Sequence, residues 1–238
     1  MNSHHSNTDF ENGWIAADGW AALAIAGIVT IILALISLPL GTFALGVMLW
    51  LRHTLRAPRR LTPEGLGLVV APADGVVIEV SDTPDESAAN ESAANESAAN
   101  ESAAHPEMGG ATRVTIRTGL ADTQLLRSPV AGRVIDNFLI PGLFRGGEEL
   151  ALMRRDNERR EISIETEDGA RLLLAMIGTA TARQLVCRFG PGKFLAAGAP
   201  LGMARIGGLT DLVIPAGYRV EIETGRTVVA GETILARR

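Results

Sequence analysis

The segments Ala71-Pro-Ala-Asp74-Gly75-Val-Val77 and Ser128-Pro-Val-Ala-Gly132-Arg-Val134 share one pattern, and this pattern decides the fold. In each segment a proline fixes the backbone of a turn, a glycine permits a positive φ, and a valine opens the next strand. A third version, Thr227-Val-Val-Ala-Gly231, stands near the end of the chain. Strand–turn–strand units of this kind predict a mainly β domain.

Short apolar segments separated by Gly, Pro and Asp extend this pattern over residues 61–238. We expect strands around residues 68–70, 76–78, 114–116, 162–164, 172–174 and 212–214. The Pro-x-x-Gly turns resemble those of lipoyl and biotinyl domains, so the sequence predicts a β domain of the barrel-sandwich-hybrid type. A short helix is expected over residues 179–186.

Residues 19–51 contain no charged side chain and follow a polar lead, residues 1–18, which is expected to be disordered. Pro39 and Gly41 interrupt this run, which favours an apolar helix before the break and a shorter one after it. The segment is expected to form a helical hairpin in one membrane leaflet or a single tilted span. The linker, residues 52–60, contains four arginines, and the positive-inside rule then places the β domain on the cytoplasmic side of the membrane.

Composition excludes several classes of protein. The 238 residues include 22 basic and 27 acidic side chains, and a net charge of −5 does not suit nucleic-acid binding. Cys187 is the single cysteine and no histidine lies in the C-terminal half, so we expect no metal centre and no Ser–His or Cys–His catalysis there. A Glu-Ser-Ala-Ala-Asn repeat over residues 86–104 predicts a solvated, low-complexity insert between two strands.

Further motifs follow in a fixed order: Asp156-Asn-Glu-Arg159, Ile164-Glu-Thr166, Arg205-Ile-Gly-Gly208-Leu-Thr-Asp211 and Ala230-Gly-Glu-Thr-Ile-Leu235. Together with the hydrophobic segment and the turns, they resemble the short bacterial phosphatidylserine decarboxylases over about residues 19–235. The resemblance implies a membrane-bound, dimeric enzyme that converts phosphatidylserine to phosphatidylethanolamine and CO2. It also implies a proenzyme, in which a serine attacks the preceding peptide carbonyl and becomes the pyruvoyl group used for decarboxylation.

The family's site residues carry over unevenly to this chain. The aspartate matches Asp74, the histidine position three residues before Arg127 is Gln124, and the serine position after Gly207 is Gly208. Glycine has no β-oxygen to attack with, and the glutamine amide does not titrate near neutral pH. We therefore expect a non-catalytic, uncleaved member without a cofactor, and a pyruvoyl group only if the family chemistry survives. Asp74 is also an ordinary turn residue before glycine.

Three functions follow from these residues. A non-catalytic protein would bind membrane phospholipid, or pair with an active paralogue or another membrane protein. An active decarboxylase would need another nucleophile, for which Thr210 with Asp211 as a neighbouring base is the candidate. A lipoyl-like adaptor would use Lys193, the single lysine. The basic cluster at residues 154–160 is expected to be a solvated loop.

Overall fold

A computed structural model describes residues 20–82, 110–147, 149–187 and 189–238. The expected disordered lead and the low-complexity insert at residues 86–104 lie outside the described residues. The helices are α1 (Trp20–Ile36), α2 (Leu38–Thr54) and α3 (Leu150–Asp156). The strands are β1 (Leu68–Val70), β2 (Gly75–Asp82), β3 (Thr112–Thr118), β4 (Leu125–Arg127), β5 (Gly132–Ile140), β6 (Arg159–Glu165), β7 (Arg171–Ile177), β8 (Leu185–Cys187), β9 (Phe194–Leu195), β10 (Pro200–Ala204), β11 (Gly208–Ile214), β12 (Arg219–Val220), β13 (Thr227–Val228) and β14 (Ile234–Arg237).

Eight strands form one antiparallel sheet that curls into a half-barrel, in the order β13-β2-β3-β11-β7-β6-β5-β9. β11 lies inside this sheet and pairs with β3 and β7, which places Gly208 opposite Thr118. Two three-stranded sheets, β1-β14-β12 and β4-β10-β8, complete the domain. The mainly β class expected from the turns is therefore confirmed.

The core lies on the concave face of the half-barrel, where alternate residues of each strand point inward. Its fully buried side chains come from the large sheet and from both small sheets, and include Ile116, Ile164, Leu174, Leu201, Leu212 and Leu235. On the opposite face, α3 packs Met153 against Ile177 and Leu209. Both faces of β11 are consequently covered, and all seven of its residues are buried.

The apolar N-terminal run forms two helices of equal length, 17 residues each, so the expectation of a shorter second helix is wrong. Ser37 separates them with an extended backbone, and Pro39 occupies the first turn of α2, where its missing N–H costs nothing. The helices approach closely beside this break, since a Cβ added to Gly41 would lie 2.6 Å from the Cα of Ala34. Within the described ranges, no helix combines the length and the apolar character that a membrane crossing requires.

Two further expectations are corrected by the structure. Residues 179–184 form no helix, because the Ala182 N–H donates to Thr179 Oγ1 and the Thr179 N–H donates to the Ala182 carbonyl, which closes a tight turn. The basic cluster at residues 154–160 is not a solvated loop. Arg154 lies on α3 with its side chain 19% exposed, and Arg159 begins β6.

Candidate functional site

Asp74 lies in the tight turn between β1 and β2 and is buried. Its Oδ1 accepts a hydrogen bond of 2.7 Å from the Ala230 N–H, and its Oδ2 accepts one of 2.7 Å from Nη2 of Arg60. Gly75 permits this turn, since its φ is +149° and a Cβ there would lie 2.2 Å from the Arg117 carbonyl oxygen. Both carboxylate oxygens of Asp74 thus hold the fold together.

Gln124 is buried just before β4, and its side-chain amide makes three hydrogen bonds. Nε2 donates to the carbonyls of Gly119 at 3.1 Å and Asp122 at 2.8 Å, and Oε1 accepts from the Gly207 N–H at 2.6 Å. The Gln124 backbone N–H in turn donates to the Thr54 carbonyl at the end of α2. One side chain therefore joins the 119–122 loop to the segment that enters β11.

The segment Ile206-Gly207-Gly208 has an unusual backbone, with φ values of +65°, +81° and +134°. Gly208 begins β11, and a Cβ there would make ordinary contacts with the Cβ atoms of Ala182 at 3.4 Å and Ala204 at 3.6 Å. There is consequently space for a larger residue at position 208, while the backbone conformation favours glycine.

The structure brings the four predicted site residues to one region, around the end of β3 and the start of β11. Gln124 contacts Gly207 directly. Asp74 connects to Gly208 through Thr118, whose Oγ1 donates to the Asp74 carbonyl at 2.9 Å and whose backbone pairs with Gly208. Nothing in the sequence around Thr118 indicates that it connects Asp74 to Gly208. This role follows only from the register of β3 against β11.

This arrangement does not fit a pyruvoyl group at position 208. Such a group is made from a side chain with a β-carbon and a β-oxygen, and Gly208 has neither. The Gln124 amide is neutral and already makes three hydrogen bonds, and an amide does not act as a base near neutral pH. Asp74 retains its carboxylate, but both oxygens already accept hydrogen bonds.

Thr210 and Asp211 lie on opposite faces of β11. Asp211 points to the α3 side, where its Oδ2 accepts from Nε of Arg154 and its Oδ1 accepts from Thr115 Oγ1, each at 2.7 Å. Thr210 is adjacent in an extended strand, so its side chain points to the other face, as does that of Leu212 in the core. Asp211 therefore cannot serve Thr210 as a neighbouring base.

Arg154 is the centre of a largely buried ionic cluster that sequence reasoning missed. Besides Asp211, it donates to Oε2 of Glu79 at 2.6 Å and to Thr115 Oγ1 at 2.7 Å. Burial tends to raise the pKa of Glu79, but the hydrogen bond and the charge of Arg154 outweigh it and lower that pKa below the ordinary 4.5. The sequence analysis considered Asp211 only as a base for Thr210, and its partner on α3 could only come from the tertiary fold.

Lys193 is half-buried immediately before β9. Its carbonyl accepts from the Val134 N–H, and the Gly192 N–H donates to the Val134 carbonyl, so this segment lies along β5. A lysine that carries a lipoyl group needs an exposed hairpin tip, whereas Lys193 is half-buried at the last position of the 190–193 turn.

Comparison with known proteins shows the family of this chain. The family model described as phosphatidylserine decarboxylase matches residues 48–236. A phosphatidylserine decarboxylase proenzyme of Geobacter sulfurreducens is 34% identical over 232 residues, which cover 94% of this chain and 97% of that protein. Another, from Ruegeria pomeroyi, is 32% identical over 221 residues, which cover 92% of this chain and 93% of that protein. The chain belongs to the phosphatidylserine decarboxylase family.

Proposed function

We propose that this chain is a non-catalytic phosphatidylserine decarboxylase homologue that stays in one piece and acts at a membrane by binding phospholipid. The observation that carries the proposal is the hydrogen bond from the Gly207 N–H to Gln124 Oε1. It joins the position of the family's histidine to Gly207, the residue whose carbonyl the family's serine would attack. At this junction the chain has a neutral amide and a glycine, which supply neither a base nor a nucleophile.

The N-terminal helices support the membrane part of this proposal. Apolar side chains of α1 and α2 are widely exposed, among them Ile25, Ile31, Leu35, Leu38 and Phe43. Trp20 begins α1 and Trp50 lies near the end of α2, so in a helical hairpin both indoles stand at the same end, as interfacial tryptophans do. Each helix is about 25 Å long at 1.5 Å per residue, shorter than the roughly 30 Å of a hydrocarbon core.

These features favour a hairpin that enters the inner membrane from the cytoplasmic side over a single tilted span. The exposed Arg52 at the end of α2 would then lie at the level of anionic headgroups. Arg60, in contrast, binds Asp74 and belongs to the β domain. The β domain is proposed to be of the barrel-sandwich-hybrid type, and the partners to be phospholipid, an active paralogue, a second copy or another membrane protein.

Denaturing mass spectrometry of the purified full chain tests the central claim. We expect a single mass for residues 1–238 without a pyruvoyl group, whereas the Geobacter sulfurreducens proenzyme, prepared in parallel, is the control for self-cleavage. Fragments divided between residues 206 and 211 would overturn the proposal and favour the active-enzyme alternative. Decarboxylation of phosphatidylserine by a preparation free of other decarboxylases would contradict it equally.

A further inference from the structure

Two exposed apolar side chains lie beside the Gly207-Gly208 segment. Leu120 is 51% exposed at the tip of the 119–122 loop, and Ile206 is 39% exposed immediately before Gly207. The two sites adjoin, since a Cβ built on Gly207 would lie 3.8 Å from Cδ2 of Leu120. Neither side chain belongs to a buried cluster of the described chain.

Ile206 is held in a conformation that isoleucine disfavours. In the described ranges it is the one residue other than glycine with a positive φ, at +65°. A β-branched side chain is costly there, and glycine or asparagine would fit the same backbone more easily. Because the side chain is exposed, core packing does not account for an apolar residue at this position.

The start of α1 and the end of α2, where both helices contact the β domain, lie next to Leu120 and Ile206. The Gly207 N–H donates to Gln124 Oε1, and the Gln124 N–H donates to the Thr54 carbonyl at the end of α2. Around the same point, Ala22 of α1 and Leu51 of α2 pack against the cluster of Leu55, Leu125 and Met203. Leu120 and Ile206 are therefore at the end of the β domain to which both helices attach.

Positive charge accompanies the apolar pair. Arg205 precedes Ile206, and its Nη1 donates to Oε1 of Gln184. Arg183, which precedes Gln184 in the sequence, is exposed and lies over the Phe144 ring at 5.6 Å. Apolar side chains beside arginines match the boundary between the acyl chains and the headgroups of an anionic bilayer.

We propose that Leu120 and Ile206 form a second membrane contact, in which both side chains enter the headgroup boundary of an anionic bilayer and Arg183 and Arg205 attract its phosphates. The proposal rests on the membrane attachment of α1 and α2 proposed above. Because the helices and the Leu120–Ile206 contact would both attach to the bilayer, the Gly207-Gly208 segment would face the lipid at a fixed distance from its surface. The strained Ile206 is then explained by lipid binding rather than by packing.

Lipid-depth fluorescence on the full chain tests this contact. Cys187→Ser removes the single cysteine, and the variants Leu120→Cys, Leu35→Cys and Ala216→Cys then carry one environment-sensitive label each. Leu35 is 83% exposed on α1 and reports insertion of the helices. Ala216 is exposed two residues beyond Ile214, the far end of β11, which lies about 20 Å from Gly208 at about 3.3 Å per residue, and it is the matched control.

In vesicles of phosphatidylcholine and phosphatidylglycerol with nitroxide-labelled acyl chains, we expect several-fold quenching at positions 120 and 35 and none at 216. Quenching at 35 without quenching at 120 would overturn the second contact and leave the helix attachment standing. Absence of quenching at 35 would overturn the attachment and the inference that rests on it. Equal quenching at 120 in vesicles of phosphatidylcholine alone would refute the role of the arginines.

The variant Ile206→Gly separates lipid contact from a structural role. Glycine fits φ +65°, so the midpoint of thermal unfolding should not fall, while quenching of a label at position 120 should drop several-fold. A lower midpoint with unchanged quenching would show that Ile206 is a packing residue, and the inference would be wrong.

Discussion

The backbone N–H of Gly207 donates a hydrogen bond of 2.6 Å to Oε1 of Gln124, across 83 positions of sequence. In the family's proenzymes, the position of Gln124 and the position directly after Gly207 are implied to carry out self-cleavage. In this chain they hold two loops together instead. Gln124 suits this structural role because its amide offers two N–H donors and an acceptor oxygen, whereas an alanine side chain offers neither.

Replacing Gln124 should therefore destabilise the fold. Gln124→Ala leaves the Gly207 N–H and two loop carbonyls without partners in a buried site, and we expect a loss of about 1–3 kcal/mol in the free energy of unfolding. Urea denaturation followed by circular dichroism measures it. The exposed Gln184 provides a matched control, and Gln184→Ala should change the free energy by less than about 0.5 kcal/mol. Equal effects of the two substitutions would contradict the structural role of Gln124.

Self-cleavage should return when Gly208 and Gln124 are replaced together by the family's serine and histidine. In the double variant Gly208→Ser with Gln124→His, the serine Oγ can attack the Gly207 carbonyl carbon, and the imidazole can take up the hydroxyl proton. Slow self-cleavage should then yield a fragment that begins at position 208, whereas each single change should have little effect because the two groups act as a unit. Mass spectrometry detects the fragment.

Gly208→Ala with Gln124→His is the control for this experiment. Alanine meets the same φ of +134° as serine, and its Cβ has the same space between Ala182 and Ala204, but it lacks the hydroxyl. This variant should stay intact. If the serine variant also stays intact while circular dichroism shows a folded domain, the site has diverged beyond its two key residues.

Arg154 and Arg155 are neighbours on α3 with different surroundings, and their substitution should separate buried from exposed charge. Arg154→Met leaves Asp211, whose side chain is 5% exposed, without its closest cation, and we expect a loss of roughly 2–4 kcal/mol. The side chain of Arg155 is 72% exposed, so Arg155→Met should leave stability unchanged. Thermal and urea unfolding compare the two variants. Similar stability of both would show that the ionic cluster does not support the sheet.

The lowered pKa of Glu79 predicts how this cluster responds to acid. A carboxylate whose pKa is depressed by folding contributes stability above its unfolded pKa, near 4.5, and that contribution is lost as the pH falls through the folded value. Glu79→Gln should therefore be less stable than the parent at neutral pH by up to about 1 kcal/mol, because the pair is partly exposed. The difference should shrink as the pH falls below 4.5, and the two proteins should converge below the folded pKa of Glu79. A constant difference from pH 7 to pH 3 would contradict the assigned ionic role.

Sequence reasoning reached the turns and strands of this fold because their signals are local. Ala71-Pro-Ala-Asp74-Gly75 specifies a turn by its own residues, and the structure has β1 and β2 on either side of it. The helix expected at residues 179–186 was wrong because a side-chain hydrogen bond from the Ala182 N–H to Thr179 competes with helix formation. The positions of Asp74, Gln124 and Gly208 followed from family resemblance. The partners Arg60, Thr118 and Arg154 depend on register and packing, which a single sequence does not contain.

The hydrogen bond from the Gln124 N–H to the Thr54 carbonyl also bears on the order in which parts of the chain can fold during synthesis. α1 and α2 leave the ribosome first, but Leu55 packs against Leu125 and Met203, which are synthesised much later. Until those residues emerge, the end of α2 has no partner in the β domain, and the apolar helices are free to enter a bilayer. Contacts of such long sequence separation form slowly. If α1 and α2 attach to a membrane as proposed, biogenesis would proceed in two stages, with insertion during translation and packing of the β domain against the end of α2 afterwards.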